Sequence, residues 1–259
     1  IIGILAPASY ISYNLLAMGC CAALLPLTLT KVQQPETPES PRLRPILAVA
    51  RSPLAPEGVV VAALSRASFR MLGPIYVQEV GLSAGQIAWF LSAFVLGGAL
   101  AQFPIGWLAD KYDRRAVLIW LSVAAMASCF ITVMASGMGT VGIMLTAGLF
   151  GLTTFPIYSV AAAHAHDFAS SDERVELSAA LMFFFALGAI FAPYLASFLI
   201  ENFGASALLL MISAGHAVLV IFGLTRMRAR PTRKDRTRYV YAPRTSFQVG
   251  RLLRRSREK

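Results

Sequence analysis

Two arginines lie in the middle of an otherwise apolar segment, and their chemistry is that of an anion site. Arg66 and Arg70 stand four residues apart in VVVAALSRASFRMLGPIYV, so on a helix both guanidinium groups share one face. At 1.5 Å per residue they lie roughly 14 and 20 Å into a span. Each costs roughly 2.5 to 3.5 kcal/mol at a span centre. The pair therefore predicts either a site for an anionic or polar substrate or pairing with another helix.

Uncharged polar residues near expected helix bends could line a path for the same substrate. Tyr76, Gln102 and Tyr158 are of this kind, although each could equally be a packing residue with a satisfied hydrogen bond. His216, in SAGHAVLV, suits either a protonation switch or a hydrogen bond across helices. Gly73-Pro74 predicts a break in the helix that could act as a gating bend.

A second group of titratable residues ends another apolar segment. His164, His166 and Asp167 occur in AAAHAHDF and could serve a metal ion or a proton relay. The H-x-H spacing does not place both imidazoles on one helical face, however, and helix ends often carry polar residues. We therefore expect neither a metal site nor a cofactor.

The composition places these residues in a bilayer. The chain has 259 residues, 57% of them hydrophobic and 14% charged, with a mean hydropathy of +0.64, which is too apolar for an ordinary soluble domain. Stretches long enough to cross about 30 Å of hydrocarbon predict seven spans, near 10–30, 57–79, 84–109, 115–136, 140–165, 174–200 and 205–226.

The basic charge is confined to one end of the chain. The net charge is +10, but residues 226–259 contain 13 Lys/Arg against two acidic residues, so the preceding 225 residues carry about one net negative charge. A nucleic-acid partner is therefore not expected, and the tail is better suited to orientation and anionic lipid. The other Lys and Arg residues outside the spans lie in every second connection between spans, on the same side as the C-terminus. By the positive-inside rule this side is cytoplasmic.

Boundaries between the segments are marked by prolines and by helix-start patterns. Residues 31–55 contain repeated prolines and mixed charge, which predict a linker after the first span. Ser83 with Gln86 and Ser170 with Glu173 fit capping boxes, which predict helix starts after each serine.

One short turn between apolar segments has a recognisable pattern. The sequence GWLADKYDRR follows the third predicted span and contains Gly106, Asp110, Lys111, Asp113, Arg114 and Arg115. It resembles the GxLaDrxGRr signature of the major facilitator superfamily, in which such residues latch the cytoplasmic side. Asp113 stands where the common pattern has glycine, which tolerates positive φ, so we expect the turn to be held by a local bond from Asp113 to Arg114 or Arg115.

The resemblance extends from about residue 10 to 226 and implies an all-α membrane protein. It implies one span plus a six-helix lobe of the major facilitator fold, built from two inverted three-helix repeats. The chain is then similar to helices six to twelve, and in particular to YcaD-like members. The implied parts are the last span of an N-terminal lobe (1–30), a cytoplasmic linker (31–55), the C-terminal lobe (56–226) and a basic tail (227–259).

The same resemblance implies a function and a location. We expect a secondary transporter of the bacterial plasma (inner) membrane that moves a small solute, with a proton or ion as a coupling partner. The first residue is Ile1, and we expect an N-terminal lobe that is missing here and without which the chain is inactive. An anionic solute is expected only if that lobe does not supply the counter-charge of the two arginines.

Two other classes are weaker interpretations. A self-contained seven-helix receptor is suggested by the helix count alone, and no predicted span contains the lysine that a retinal Schiff base needs. An intramembrane enzyme would need a motif such as HExxH or GxGD, and the sequence has neither. We therefore do not expect an enzyme.

The two arginines give a first testable prediction. If the full-length protein carries an anionic solute, replacing Arg66 or Arg70 by Gln should abolish transport, because the guanidinium charge compensates that of the solute. Uptake and membrane abundance are measured together. A loss of abundance instead would indicate that the arginines have a structural role.

Overall fold

The computed structural model describes residues 10–29, 43–137 and 139–229, and within these ranges the regular elements are all helical. A single-turn 3-10 helix, Ala135–Gly137, follows the fifth α-helix. The α-helices are α1 (Tyr10–Leu29), α2 (Pro45–Arg51), α3 (Leu54–Glu79), α4 (Ala84–Lys111), α5 (Arg114–Met134), α6 (Gly139–His166), α7 (Arg174–Phe203) and α8 (Ala207–Ala229). The all-α membrane fold expected from the sequence is thus confirmed.

Six of the described helices, α3 to α8, are long and apolar enough to cross a membrane. They correspond to the second to seventh predicted stretches. The first stretch forms α1, whose described side chains are exposed, and its crossing of the membrane stays a prediction.

The helix α2 lies where the sequence predicted only a linker. It is seven residues long and starts with Pro45, a residue that suits the first helical position. Its Ala48 is fully buried, and Arg44 Nη1 lies 3.4 Å from Glu176 Oε2 in the first turn of α7. Arg51 forms a second ion pair with Glu173. A helix this short is stabilised by such tertiary contacts rather than by its own periodicity, so the sequence pattern did not reveal it.

Helix starts and bends differ in detail from the predictions. The backbone N–H of Ser83 donates to Gln86 Oε1 over 2.8 Å, and α4 begins at Ala84 as predicted. Ser170 makes the equivalent bond to Glu173, but α7 begins only at Arg174, so the predicted cap at Ser170 was wrong. The predicted break at Gly73-Pro74 was also wrong, because α3 continues through Pro74 to Glu79.

Glycines bring α4 and α6 into backbone contact. A Cβ added to Gly97 would lie 2.0 Å from the carbonyl oxygen of Gly148, and one added to Gly151 would lie 1.9 Å from that of Phe94. Only glycine permits this approach, which is the usual route to close helix packing in membranes. The two helices therefore pack backbone to backbone at these positions.

Two apolar cores fill the bundle on either side of this contact. One is built around the stacked rings of Phe69, Phe94 and Phe150, with centroid distances of 4.4 to 5.7 Å. The other joins the start of α3 to the ends of α6 and α8, and its largest buried members include Leu54 and Leu219. These cores fix the rotation of α3, and with it the direction of its polar residues.

We predict that Gly97→Ala destabilises the bundle, since its methyl group must push α4 away from the backbone of α6. Gly106→Ala is the matched control on the same helix, because a Cβ there meets no atom within 4 Å. Alanine should be neutral or stabilising by up to about 1 kcal/mol at that control position. Thermal unfolding of the purified variants in detergent measures both, and equal melting temperatures would contradict the close-contact argument.

Candidate functional site

Arg66 is held among three aromatic rings in the middle of α3. Its Cζ lies 4.9 Å from the ring centroid of Phe185, 5.3 Å from that of Phe155 and 5.8 Å from that of Tyr158. We call these three residues, from α6 and α7, the aromatic cage. Each ring face attracts the cation through its quadrupole. The cage therefore stabilises the guanidinium without neutralising its charge.

The hydrogen bonding of Arg66 is incomplete. Its Nε is buried and has no hydrogen-bond partner among the described residues. No carboxylate of these residues lies within salt-bridge distance of Arg66. A buried N–H donor without an acceptor costs about 1 to 3 kcal/mol. An oxygen-bearing ligand could remove that penalty and supply a counter-charge.

The aromatic cage is itself positioned by its neighbours. The ring of Phe155 lies against Gly98 of α4, where an added Cβ would meet Phe155 Cγ at 2.3 Å. The Tyr158 hydroxyl donates to Met182 Sδ over 3.2 Å, and the Tyr158 ring stands edge-on to Phe185 at 5.5 Å. The contact between α4 and α6 thus positions one of the three rings that surround the Arg66 guanidinium.

The other predicted path residues fall into two groups. Arg70 is exposed one turn beyond Arg66, and exposed Gln102 accepts a 3.4 Å hydrogen bond from Ser159, the neighbour of Tyr158. Tyr76, by contrast, is buried and donates to the Thr132 carbonyl over 3.2 Å. The structure therefore brings Gln102 close to the aromatic cage and places Tyr76 in the packed interior.

His216 is also in the interior. It is fully buried, and its Nε2 lies 2.9 Å from Ser65 Oγ, which donates to the Val61 carbonyl. Because the Ser65 hydroxyl proton is used in that bond, the Ser65 oxygen is placed to accept a hydrogen bond from Nε2–H. Its Nδ1 has no hydrogen-bond partner among the described residues. This is the cross-helix bond that the sequence allowed, and a role in the substrate path stays a prediction.

The signature turn forms a buried network of charges. Arg114, the first residue of α5, pairs with Asp167 beyond the end of α6, and its Nη2 donates to Asp110 over 3.1 Å. Its Nη1 also donates to the carbonyl of Ala163 over 2.9 Å. The side chains of Arg114 and Asp167 are only 8% and 9% exposed. The network ties the ends of α4, α5 and α6 together.

Asp113 closes the turn locally. Its Oδ1 accepts from the backbone N–H of Arg115 over 3.0 Å as the N-cap of α5, and its Oδ2 lies 2.9 Å from Arg115 Nη2. The expected bond to a neighbouring arginine is thus confirmed. Asp113 has a φ of −63°, so this position does not need the left-handed backbone that glycine favours.

The remaining turn and helix-end residues are placed separately. Lys111 is exposed, with Nζ 4.9 Å from the Trp107 ring centroid, and Gly106 is exposed on α4. His164 packs edge-on against Phe168 at 5.2 Å, while His166 Nε2 lies 3.2 Å from Ser178 Oγ. Within the described ranges, no group of three His, Cys, Asp or Glu side chains could hold a metal ion.

Sequence reasoning missed the residues that complete both arginine sites. Phe155 precedes Tyr158 by three residues and so shares its face of α6, which was an available signal. Asp167 was considered only with the histidines, since nothing in the sequence links it to Arg114. Phe185 comes from a long apolar stretch in the middle of α7, and only the fold identifies it.

Comparison with known proteins gives a consistent result. Residues 58–257 match the family model described as Major Facilitator Superfamily. An uncharacterized MFS-type transporter of Enterobacter sp. strain 638 is 26% identical over 82% of this chain and 54% of its own length. The uncharacterized MFS-type transporter YcaD of Shigella flexneri is 29% identical over 74% of this chain and 50% of its own. The chain spans about half the length of these relatives.

A solved structure supports the fold. The crystal structure of the POT family transporter PepTSo aligns with a TM-score of 0.57, at 18% identity, over 81% of this chain and 40% of that one. At this identity the likeness concerns the arrangement of the helices and not the solute.

The charge network yields a prediction about stability. Asp167→Ala should lower the free energy of unfolding by about 1 to 3 kcal/mol, because it leaves the buried Arg114 with one carboxylate instead of two. Asp172→Ala is the matched control, since Asp172 is exposed and its side chain accepts a bond from Ser171. Thermal or chemical unfolding of the purified protein measures both. Equal effects would mean that the pair with Asp167 contributes nothing.

Proposed function

Because this chain belongs to the major facilitator superfamily, we propose that it is part of a secondary transporter that moves a small solute by alternating access. In such proteins two six-helix lobes rock about a central site. The helices α3 to α8 would form one lobe, and α1 would be the last span of the other. The alignment to about half of each relative supports this assignment. The proposed role is transport and not catalysis.

The proposed parts of the chain follow the sequence-based boundaries. Residues 1–30 would end the first lobe, 31–55 would connect the lobes with α2 at the far end of the connection, and 56–226 would form the second lobe. The basic residues 227–259 would remain in the cytoplasm. The absence of Lys and Arg from the opposite connections supports this orientation in a bacterial plasma membrane.

The observation that carries the substrate proposal is the unmatched guanidinium of Arg66. Insertion of an arginine at a span centre costs roughly 2.5 to 3.5 kcal/mol. Cation-π contacts contribute about 0.5 to 2 kcal/mol each, so the aromatic cage can offset much of this cost. The cage offers no acceptor to the buried Nε–H, however. A carboxylate or phosphate oxygen of the solute would supply both the acceptor and the opposite charge.

Nearby polar groups would extend the same site. Arg70 adds a second positive charge one turn away and is exposed, so it would attract an anion rather than enclose it. Gln102, next to the aromatic cage through Ser159, would bind an uncharged polar part of the solute. We propose Arg66, Arg70, Gln102 and Tyr158 as the substrate-facing set.

The signature turn would provide the gate. Asp110 keeps 21% of its side-chain surface exposed while it accepts from Arg114. In a two-lobe transporter that exposed edge and the exposed Lys111 are the parts of the turn that could contact the opposite lobe. The buried Arg114 and Asp167 would keep the turn rigid while the lobes move.

The test is a binding and transport experiment on the full-length protein. Thermal shifts are recorded with a panel of small carboxylates and phosphates, each paired with its neutral amide or ester. We expect some anions, and not their neutral partners, to raise the melting temperature of the wild type. Arg66→Gln should abolish that shift, and Arg70→Gln should reduce it less, because Arg70 does not lie in the aromatic cage.

Arg66→Lys separates charge from shape. A lysine keeps the positive charge but loses the planar group that stacks on the rings, so we expect weakened anion binding rather than none. Uptake of the identified anion by proteoliposomes then tests transport. The substrate proposal would be overturned if Arg66→Gln kept full anion binding, and the transport role if a bound anion were never moved.

A further inference from the structure

A small cavity at one end of the bundle is surrounded by basic side chains. It has a volume of about 20 Å³ and is lined by Arg51 of α2, Arg115 of α5, His164 of α6 and Arg226 of α8, among others. We call it the arginine cavity. That volume admits about one water molecule or one oxygen atom of a larger ligand. The side chain of Arg51 is 43% exposed, so the cavity reaches the surface.

The charges around the arginine cavity are only partly compensated. Arg51 pairs with Glu173, and Arg115 with Asp113. The Glu173 carboxyl, which lies outside the spans, has its pKa lowered by the hydrogen bond from Arg51. Arg226 makes no ion pair with the part of the chain that the structure describes, although its carbonyl accepts a 3.4 Å hydrogen bond from Arg115 Nη1. Within the described part of the chain, the positive charge of Arg226 is therefore available to an external anion.

The arginine cavity lies at the ends of membrane-capable helices, which is where a membrane surface is expected. The helix α5 begins at Arg114, α6 ends at His166 and α8 ends at Ala229, so the lining residues lie at the ends of three spans. A diffusing anion and a lipid headgroup can both reach this level.

The helix α2 beside the cavity presents an apolar surface as well as an arginine. Ile46 and Val49 of this helix are spaced by three residues and are 82% and 45% exposed, and Leu43, just before the helix, is 56% exposed. At the level where α7 begins, such side chains are suited to the boundary between headgroups and acyl chains. A free phosphate would make no use of this surface, whereas a lipid would contact it with its acyl chain.

We propose that the arginine cavity binds the phosphate of an anionic phospholipid, with one phosphate oxygen between Arg115 and Arg226 and the acyl chains along α2. Lipid bound there would join α2 to the ends of α5 and α8. The proposal concerns a site separate from the aromatic cage and does not depend on which solute is transported.

The experiment measures lipid binding to the purified, delipidated full chain in detergent. Phosphatidylglycerol is titrated against phosphatidylcholine, and the number and affinity of bound lipids are read by native mass spectrometry. We expect a tight phosphatidylglycerol site in the wild type that Arg226→Gln weakens roughly tenfold, as for loss of one charge-assisted contact. Arg226→Lys should restore most of the affinity, because the charge returns.

Arg228→Gln is the matched control, since Arg228 is exposed on the same helix and does not line the cavity. Equal weakening by both glutamines would overturn the proposal in favour of a diffuse basic surface. So would equal affinity for the two lipids. Finally, inorganic phosphate is added as a competitor at constant ionic strength. If phosphate at the same concentration as the lipid displaced it, the site would be a site for free phosphate and the proposal would be overturned. Unchanged unliganded melting temperatures establish that the variants are folded.

Discussion

The need to compensate guanidinium charge in a mostly apolar bundle governs the polar structure of this protein. Arg114 has its charge compensated by two carboxylates and also donates to a backbone carbonyl, although its buried Nε has no hydrogen-bond partner among the described residues. Arg66 meets the need only in part, because three aromatic faces surround it and no carboxylate of the described residues lies within salt-bridge distance. Since an unmatched charge in hydrocarbon is expensive, the first arrangement is suited to holding helices together. The arrangement around Arg66 would let a ligand with an opposite charge lower the free energy of the site.

The incomplete arrangement depends on glycines that carry no chemistry of their own. Gly97 and Gly151 bring α4 and α6 into backbone contact, and Gly98 then leaves room for the ring of Phe155. That ring forms one face of the aromatic cage. A change in the distance between α4 and α6 would therefore move Phe155 relative to Arg66. If Arg66 binds an anion as we propose, these contacts would couple its affinity for the anion to the separation of the two helices.

The sequence predicted the features that depend on composition and short-range pattern. Six apolar stretches became membrane-capable helices, Ser83 precedes the start of α4, and Asp113 bonds to Arg115. Features that depend on tertiary contact were missed. The helix α2 exists because it packs on α7, and α3 passes through Pro74 because neighbouring helices hold it. Asp167 and Phe185 join their arginines from distant helices, where no local pattern could indicate them.

The difference between the two predicted arginines of α3 follows from helix geometry. Residues four apart share a face but are separated by about 6 Å along the axis. The rings of the aromatic cage surround Arg66 and do not extend along the helix axis to Arg70, which is exposed. In the proposed site, an anion drawn in by both charges would be held at Arg66, which is the less exposed of the two and where each electrostatic contact is stronger. The spacing of four residues therefore gives the two arginines different proposed roles, since Arg70 would attract the anion and Arg66 would bind it.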